Sequence, residues 1–200
     1  MNTLKTYLWS ACLLSIIAIP AHGDAYNSGH SKDAINVFQL VQWKGVGVPV
    51  SLPKGVGADV VAEGSPCYTV PMVQPQTGIE IGTGYDCITN PGSLVELGAG
   101  TVTTYYIFAF RGRGSLVSEN RVVVRMADDT DSMNPIPTDS VSANDDMTHI
   151  LGSFPTNNTI AGGTGFYRKA KGQVRVSGAV SLAHFPDEIV FDDLFVINYK

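Results

Sequence analysis

Polar side chains stand among aromatic residues at two places in this chain of 200 residues. Tyr106 shares one face of a strand-like segment with Phe108 and Phe110, because alternate residues of a strand point to the same side. Asp193, in the last apolar segment, has a phenylalanine two positions before it and another two positions after it. An ionisable group in apolar surroundings is costly unless it serves a ligand or a partner. Tyr106 and Asp193 are therefore candidates for hydrogen bonding or proton exchange with a small molecule.

Both residues also have a simpler interpretation. Tyr106 can be a core tyrosine whose hydroxyl is satisfied at the rim of the fold. Asp193 and its neighbour Asp192 can lie in a solvated turn, if the last strand begins only at Leu194. The direction of these side chains decides between the two interpretations.

Conventional catalytic and metal-binding motifs are absent from the sequence. It contains no G-x-S-x-G, H-E-x-x-H or C-x-x-C pattern, and His149 and His184 are isolated near predicted loops. Arg121, Arg125 and Arg175 lie on the polar faces of predicted strands, which favours solvent exposure over a lumen that binds an anion. We therefore assign no catalytic residue, no metal site and no cofactor.

The segment from Ala127 to Asp146 contains six aspartates and two prolines, and it predicts a long solvated loop. Asp128, Asp129 and Asp131 are close enough in sequence to suggest calcium, but the EF-hand spacing is absent. Asn157-Asn158-Thr159 is a formal glycosylation sequon, relevant only to a eukaryotic source.

The amino-terminal 23 residues have the features of a secretory signal peptide. Lys5 precedes an apolar run from Leu8 to Ile19, and small residues follow near the end of the segment. The run is too short for a transmembrane helix, and no other segment is apolar for long enough to span a bilayer. Cleavage would leave 13 − 1 = 12 basic against 18 acidic residues with no basic block, so nucleic acid is not an expected partner.

Cys67 and Cys87 are the only cysteines outside the predicted signal peptide, and they lie symmetrically about Thr77. Strand-like residues flank Thr77 on both sides, and Gly78 can supply the positive φ of a hairpin turn. Such a hairpin places the two cysteines opposite each other, which predicts a disulfide in an oxidising compartment. Two buried thiols or a metal-binding pair are the alternatives.

A glycine-rich corner, Gly162-Gly163-Thr164-Gly165, precedes a segment that alternates as a strand from Val174 to Leu182. The glycines allow positive φ, so we expect a sharp turn that no strand crosses, then one or two helical turns up to Lys171. Phosphate binding is the alternative, but neither the dinucleotide pattern nor the P-loop pattern fits.

The run from Gly162 to Gly172 resembles the G-G-T-G-x-F-x-x-A-x-G corner of dirigent proteins and allene oxide cyclase-like barrels, with Tyr167 at the phenylalanine position. The run from Thr77 to Cys87 resembles the T-G-x-x-(V/I)-G-T-x-x-G-x-C run of bacterial members of that group, with Tyr85-Asp86 in place of the second glycine-containing pair. Asp192 falls near the acid that such chains often carry in the last strand, which makes it the third candidate binding residue beside Tyr106 and Asp193.

This resemblance covers roughly residues 62–200 and implies an eight-stranded barrel. It also implies a small hydrophobic or phenolic ligand in the lumen, cyclisation or coupling without a cofactor, and a homo-oligomer, with a trimer as the family state. The alternative is a non-catalytic secreted binding or structural module whose barrel is packed. An open lumen would favour the first function and a filled one the second.

Strand-like segments at regular spacing independently indicate a small all-β barrel or sandwich. Together with the resemblance, they predict an all-β, eight-stranded antiparallel barrel of the allene oxide cyclase/dirigent type. Signal peptide 1–23 and a flexible leader over 24–34 precede a single domain over 35–200. Strands are expected over 35–43 and near 58–62, and the last strand is expected to be interrupted at Asp192-Asp193.

Overall fold

The computed structural model describes residues 36–56, 58–90, 99–127 and 147–200, which form a closed antiparallel β-barrel of eight strands. Each strand pairs with the next, and β8 pairs with β1 to close the ring. The strands are β1 Val37–Val50, β2 Cys67–Val73, β3 Glu80–Asn90, β4 Gly100–Phe110, β5 Gly114–Met126, β6 His149–Gly163, β7 Gly172–Ser181 and β8 Ile189–Tyr199. The predicted class, an all-β antiparallel barrel of eight strands, is confirmed. The signal peptide, the leader and residues 128–146 of the acidic loop lie outside the described residues.

The two ends of the barrel differ in their connections. We call the end that carries the β1–β2, β3–β4, β5–β6 and β7–β8 connections the upper end, and the opposite one the lower end. Alternate residues of every strand face the lumen, and Trp43 packs there with its ring centroid 4.4 Å from that of Phe195 and 5.3 Å from that of Tyr106. Because Phe108 and Phe191 join the same cluster, aromatic side chains fill the middle of the barrel.

The disulfide between Cys67 and Cys87 is confirmed, and the two residues are direct partners across β2 and β3. Both side chains belong to a second apolar cluster, on the outside of the barrel, together with Tyr85, Ile107 and Val117. Residues of the β1–β2 connection, including Leu52, pack over this cluster.

The first strand is longer than its sequence indicates. β1 continues through Lys44-Gly45, where we expected it to stop, and ends only at Val50. Its register against β2 shifts between Trp43 and Val48, and Gly45 has a φ of 127° inside that irregularity. The glycines therefore bend the strand without ending it. The strand expected near 58–62 is wrong, because Ala58–Val60 forms a 3₁₀ turn.

The strand β6 is absent from our sequence prediction. It runs into the glycine corner and includes Gly162 and Gly163, so the expectation that no strand crosses these glycines is wrong. The strand ends at Gly163, within the corner, and a single 3₁₀ turn over Gly165–Tyr167 replaces the expected longer helical segment. Within the corner, only Gly165 has a positive φ, of 54°.

The last strand is continuous. β8 passes through Asp192 and Asp193 without interruption and pairs with β1 on one side and β7 on the other. The interpretation in which both aspartates lie in a solvated turn is therefore wrong.

In the part of the chain that the structure describes, no helix has the length and apolarity needed to cross a membrane.

Candidate functional site at the upper end of the lumen

Asp86 is an acid on the inner face of the barrel between two tyrosines. In the register of the sheet it lies across from Tyr68 on β2 and Tyr106 on β4. Its side chain is buried. The side chain of Thr104, which is its hydrogen-bond partner and lies two residues before Tyr106 on β4, is buried as well. The alternation of β3 places Asp86 inside because Gly82, Gly84 and Ile88 share its face.

Thr104 connects Asp86 to the backbone. The hydroxyl oxygen of Thr104 lies within hydrogen-bond distance of Asp86 Oδ1 and 2.9 Å from the carbonyl oxygen of Cys87. A hydroxyl has one proton and cannot donate to both acceptors at once. If the hydroxyl donates to the Cys87 carbonyl, a protonated Asp86 can donate its own proton to the hydroxyl oxygen of Thr104. Each of these two hydrogen bonds then has one donor and one acceptor. If Asp86 is ionised, the hydroxyl can rotate towards the carboxylate.

Burial makes the Asp86 carboxyl a weak acid. Desolvation raises its pKa from 3.8 to about 7, and the hydrogen bond from Thr104 opposes that shift only in part. The lysines and arginines of the described strands, Lys44, Arg121, Arg125 and Arg175, are exposed to solvent, whereas His149 on β6 is buried. No lysine or arginine of those strands therefore lies beside Asp86 to stabilise its charge. The group exchanges its proton near neutral pH, which is the range that general acid–base catalysis uses.

Asp193 is a second acid in the lumen and lies deeper in the wall. It is 1% exposed, and neither of its carboxylate oxygens has a hydrogen-bond partner. Burial raises its pKa well above 3.8, and the charges of Asp86 and Asp192 raise it further. Gly178, its partner on β7, makes room for it, since a Cβ at that position would lie 2.3 Å from Asp193 Oδ1. Burial in this wall therefore favours the protonated form of Asp193.

A cavity of about 40 Å³ lies above the aromatic cluster. Asp86, Thr104 and Tyr106 supply its polar side, while its other walls are apolar: Ile88, Val102, Val122, Val124, Leu151, Val180, Leu182, Ile189 and Phe191. Ligand pockets usually measure about 300–1,000 Å³, whereas a single water needs only about 10–15 Å³. The cavity therefore has room for one functional group or a few waters, and not for a whole phenolic molecule.

The three residues selected from the sequence do not lie together. Tyr106 lines the cavity, and burial raises the pKa of its hydroxyl, as do the charges of Asp86 and Asp193. Asp193 faces the lumen without lining the cavity. Asp192 lies on the outer side of β8, where Gln42 Nε2 donates to its Oδ1 at 2.7 Å and Lys44 Nζ lies 3.9 Å from its Oδ2.

Asp86 is the functional candidate that sequence reasoning missed. The necessary signal was present, because the hairpin centred on Thr77 fixes the register and places Asp86 opposite Tyr68. Applying the same alternation to β3 puts Asp86 on the face that Gly84 and Ile88 share. Among the described residues, no three histidine, cysteine or acidic side chains are grouped closely enough to hold a metal ion.

Comparison with known proteins adds no relative. No protein-family model matches the sequence, and neither a curated protein nor a solved structure matches it significantly. The geometry of the barrel and its residues therefore carries the functional argument.

Proposed function

We propose that this chain is a dirigent-like barrel that binds a small, largely apolar molecule at the upper end of its lumen and biases its cyclisation or coupling without a cofactor. Asp86 carries the proposal: it is a buried acid that lines a cavity and has a pKa of about 7. An acid with that pKa is present in both protonation states at neutral pH. It can accept a proton from a ligand hydroxyl or donate one to a ligand carbonyl.

Orientation supplies the rest of the proposed activity. A polar group of the ligand enters the cavity and hydrogen-bonds to Asp86 and Tyr106, while the apolar body lies against the rim near Ile88, Leu182 and Ile189. Holding a reactive molecule in one conformer raises the effective concentration of the reacting groups for one product. That product comes from one mode of ring closure, or from coupling at one face of the molecule. The small volume of the cavity selects for an anchoring group the size of a hydroxyl or a carbonyl.

The test is to compare ligand binding and product stereochemistry between two aspartate variants. Simple phenols and apolar hydroxy compounds are titrated into wild type, Asp86→Asn and Asp192→Asn, and binding is followed by NMR shifts of the Ile88 and Leu182 methyl groups. Product enantiomers are measured after an added one-electron oxidant has converted the phenols to the radicals that couple. Asp86→Asn should abolish any bias in product enantiomers and weaken binding. Asp192→Asn, on the outer side of the barrel, should behave as wild type. Equal behaviour of both variants would refute the proposal.

A non-catalytic binding or structural module is the second candidate function. The aromatic cluster around Trp43 favours this function, because the cluster fills the middle of the lumen and the cavity above it is small. This function predicts that no small molecule perturbs the cavity methyl groups and that Asp86→Asn changes only stability.

Secretion and self-association belong to the same proposal. The disulfide is compatible with an oxidising compartment, and we expect the mature protein to begin at or near Asp24, which mass spectrometry of exported protein would show. We also expect a homo-oligomer, trimeric by resemblance. Light scattering of the purified protein would give the number of subunits.

A further inference from the structure

The lower end of the barrel carries a large open groove that the proposed lumen function does not use. Its volume is about 860 Å³, which falls in the range of small-molecule sites. The groove runs along the start of β1, the β2–β3 turn and the β4–β5 turn. It lies at the opposite end of the barrel from Asp86.

One wall of the groove is apolar and solvent-exposed. Phe38 is 69% exposed, Leu40 is 40% exposed and Val196 is 38% exposed, and all three line the groove. Exposed apolar side chains that line a concave surface are typical of ligand sites. This wall fits the hydrocarbon or aromatic part of a ligand.

The opposite wall is cationic. Arg111 and Arg113 line the groove with one acid, Glu80, so these side chains give it one net positive charge in a chain of net charge −5. Arg111 Nη2 bonds to Glu80 Oε1. Arg113 has no carboxylate partner among the described residues, and its guanidinium lies over the ring of Phe166, 4.8 Å from the centroid. The same guanidinium also lies over the ring of Tyr167, 5.7 Å from the centroid of that ring. A guanidinium that lies over an aromatic ring can still donate two parallel hydrogen bonds to a carboxylate from its edge.

We propose that this lower groove is a second binding site, for an organic anion that joins a carboxylate to an apolar body. Arg113 binds the carboxylate, and Phe38, Leu40 and Val196 contact the body. The amide side chains of Gln74 and Gln76 at the rim can donate to the carboxylate as well. Charge selects the ligand, because an alcohol lacks the anion and an ammonium compound is repelled.

The experiment uses three probes with the same twelve-carbon chain: dodecanoate, dodecanol and dodecyltrimethylammonium. Each is titrated as a monomer into the full mature chain by calorimetry, with wild type, Arg113→Gln and Arg125→Gln. Arg125 is exposed on the outer side of β5, near the upper end, so its variant carries the same change in charge outside the groove. We expect dodecanoate to bind most tightly and Arg113→Gln to weaken it at least tenfold, with Arg125→Gln unchanged.

Further variants locate the ligand. Arg113→Lys keeps the charge but loses the planar fork, so its affinity should lie between wild type and Arg113→Gln, while Phe38→Ser should weaken dodecanoate and dodecanol alike. Asp86→Asn should leave dodecanoate binding unchanged even if the lumen function fails. The proposal is overturned if dodecanoate does not bind, if dodecyltrimethylammonium binds equally well, if both glutamine variants lose the same affinity, or if Asp86→Asn abolishes binding.

Discussion

Asp86 and Tyr106 are direct partners across β3 and β4, and both side chains line the cavity at the upper end of the lumen. Burial raises the pKa of Tyr106, and the charge of Asp86 raises it further, so ionising one group makes ionising the other harder. The pair therefore carries at most one negative charge at neutral pH. This coupling makes the protonation state of Asp86 a measurable property of the folded barrel.

Stability should fall as Asp86 ionises. Its pKa is raised on folding, so the native state binds more protons than the unfolded state between pH 3.8 and about 7. The free energy of unfolding then decreases with rising pH across that window, by up to about 4 kcal/mol at about 1.36 kcal/mol per pKa unit. The contribution is fully present below pH 3.8 and lost above about 7.

Asp86→Asn isolates this effect, because an amide can donate to Thr104 as the neutral acid does. Urea unfolding at pH 4 should give similar stabilities for wild type and variant, and at pH 8 the variant should be more stable. Asp192→Asn serves as the control on the outer side of β8. A difference between Asp86→Asn and wild type that stays constant from pH 4 to 8 would contradict the raised pKa.

Two adjacent glycines in the corner should respond differently to alanine. A Cβ on Gly163 would lie 2.5 Å from the Tyr167 carbonyl oxygen and 2.8 Å from that of Ser115, whereas a Cβ on Gly162 meets nothing within 4 Å. Gly163→Ala should therefore lower stability by about 1–3 kcal/mol, and Gly162→Ala should leave it unchanged or slightly raised. Thermal unfolding of the two variants measures the difference in stability. Equal melting temperatures would show that Gly163 does not lie so close to the carbonyl oxygens of Tyr167 and Ser115.

Gly178→Ala should be strongly destabilising for a different reason. The added Cβ would meet Asp193 Oδ1 at 2.3 Å and the Asp192 carbonyl oxygen at 2.5 Å, inside a wall that cannot expand. Gly152 on β6 offers the matched control, since its Cβ position is open. Denaturant unfolding should show a loss of more than about 2 kcal/mol for Gly178→Ala and under about 0.5 kcal/mol for Gly152→Ala. A small loss at Gly178 would mean that Asp193 points elsewhere.

Removing the disulfide should weaken the barrel without unpairing β2 from β3. The Cys67–Cys87 bond closes a loop with a sequence separation of 20, which in the chain-entropy model stabilises by roughly 3 kcal/mol. A Cys67→Ala, Cys87→Ala double variant should lose about that much, as measured in guanidinium. Peptide maps with and without reductant should differ only in the two cysteine peptides, and free thiols in exported protein would contradict the bond.

The sequence predicts this fold well where residues alternate with a period of two and where the two cysteines lie symmetrically about a turn. The alternation around Tyr106 and Phe108 identified β4 and its inner face, and the position of Thr77 midway between the cysteines identified the β2–β3 hairpin and its bond. Both patterns depend on local pairing across a short turn, which the sequence encodes directly.

Features that depend on distant strands were missed. Gly45 and Gly162 suggest breaks, yet pairing on both sides keeps each residue within a strand of the barrel. Likewise, two charged residues in succession suggested a turn at Asp192. Because β8 pairs with β1 on one side and β7 on the other, it continues through both aspartates, and only Asp193 faces the lumen. Tertiary pairing overrides local propensity at each of these positions. The corner glycine Gly163 is similar, because it is required by close backbone packing and not by a positive φ.

The pairing of β1 with β8 is the strand pairing of highest sequence separation in the barrel. The bond between Gln42 and Asp192 joins residues 150 positions apart, whereas the β2–β3 and β4–β5 hairpins need only short turns. Hairpins can thus form early, but the ring closes only when the last strand meets the first, a contact of high sequence separation that slows folding. Burial inside the closed ring is also what raises the pKa values of Asp86 and Asp193, so the weak acidity of both groups is a property of the closed barrel and not of its separate hairpins.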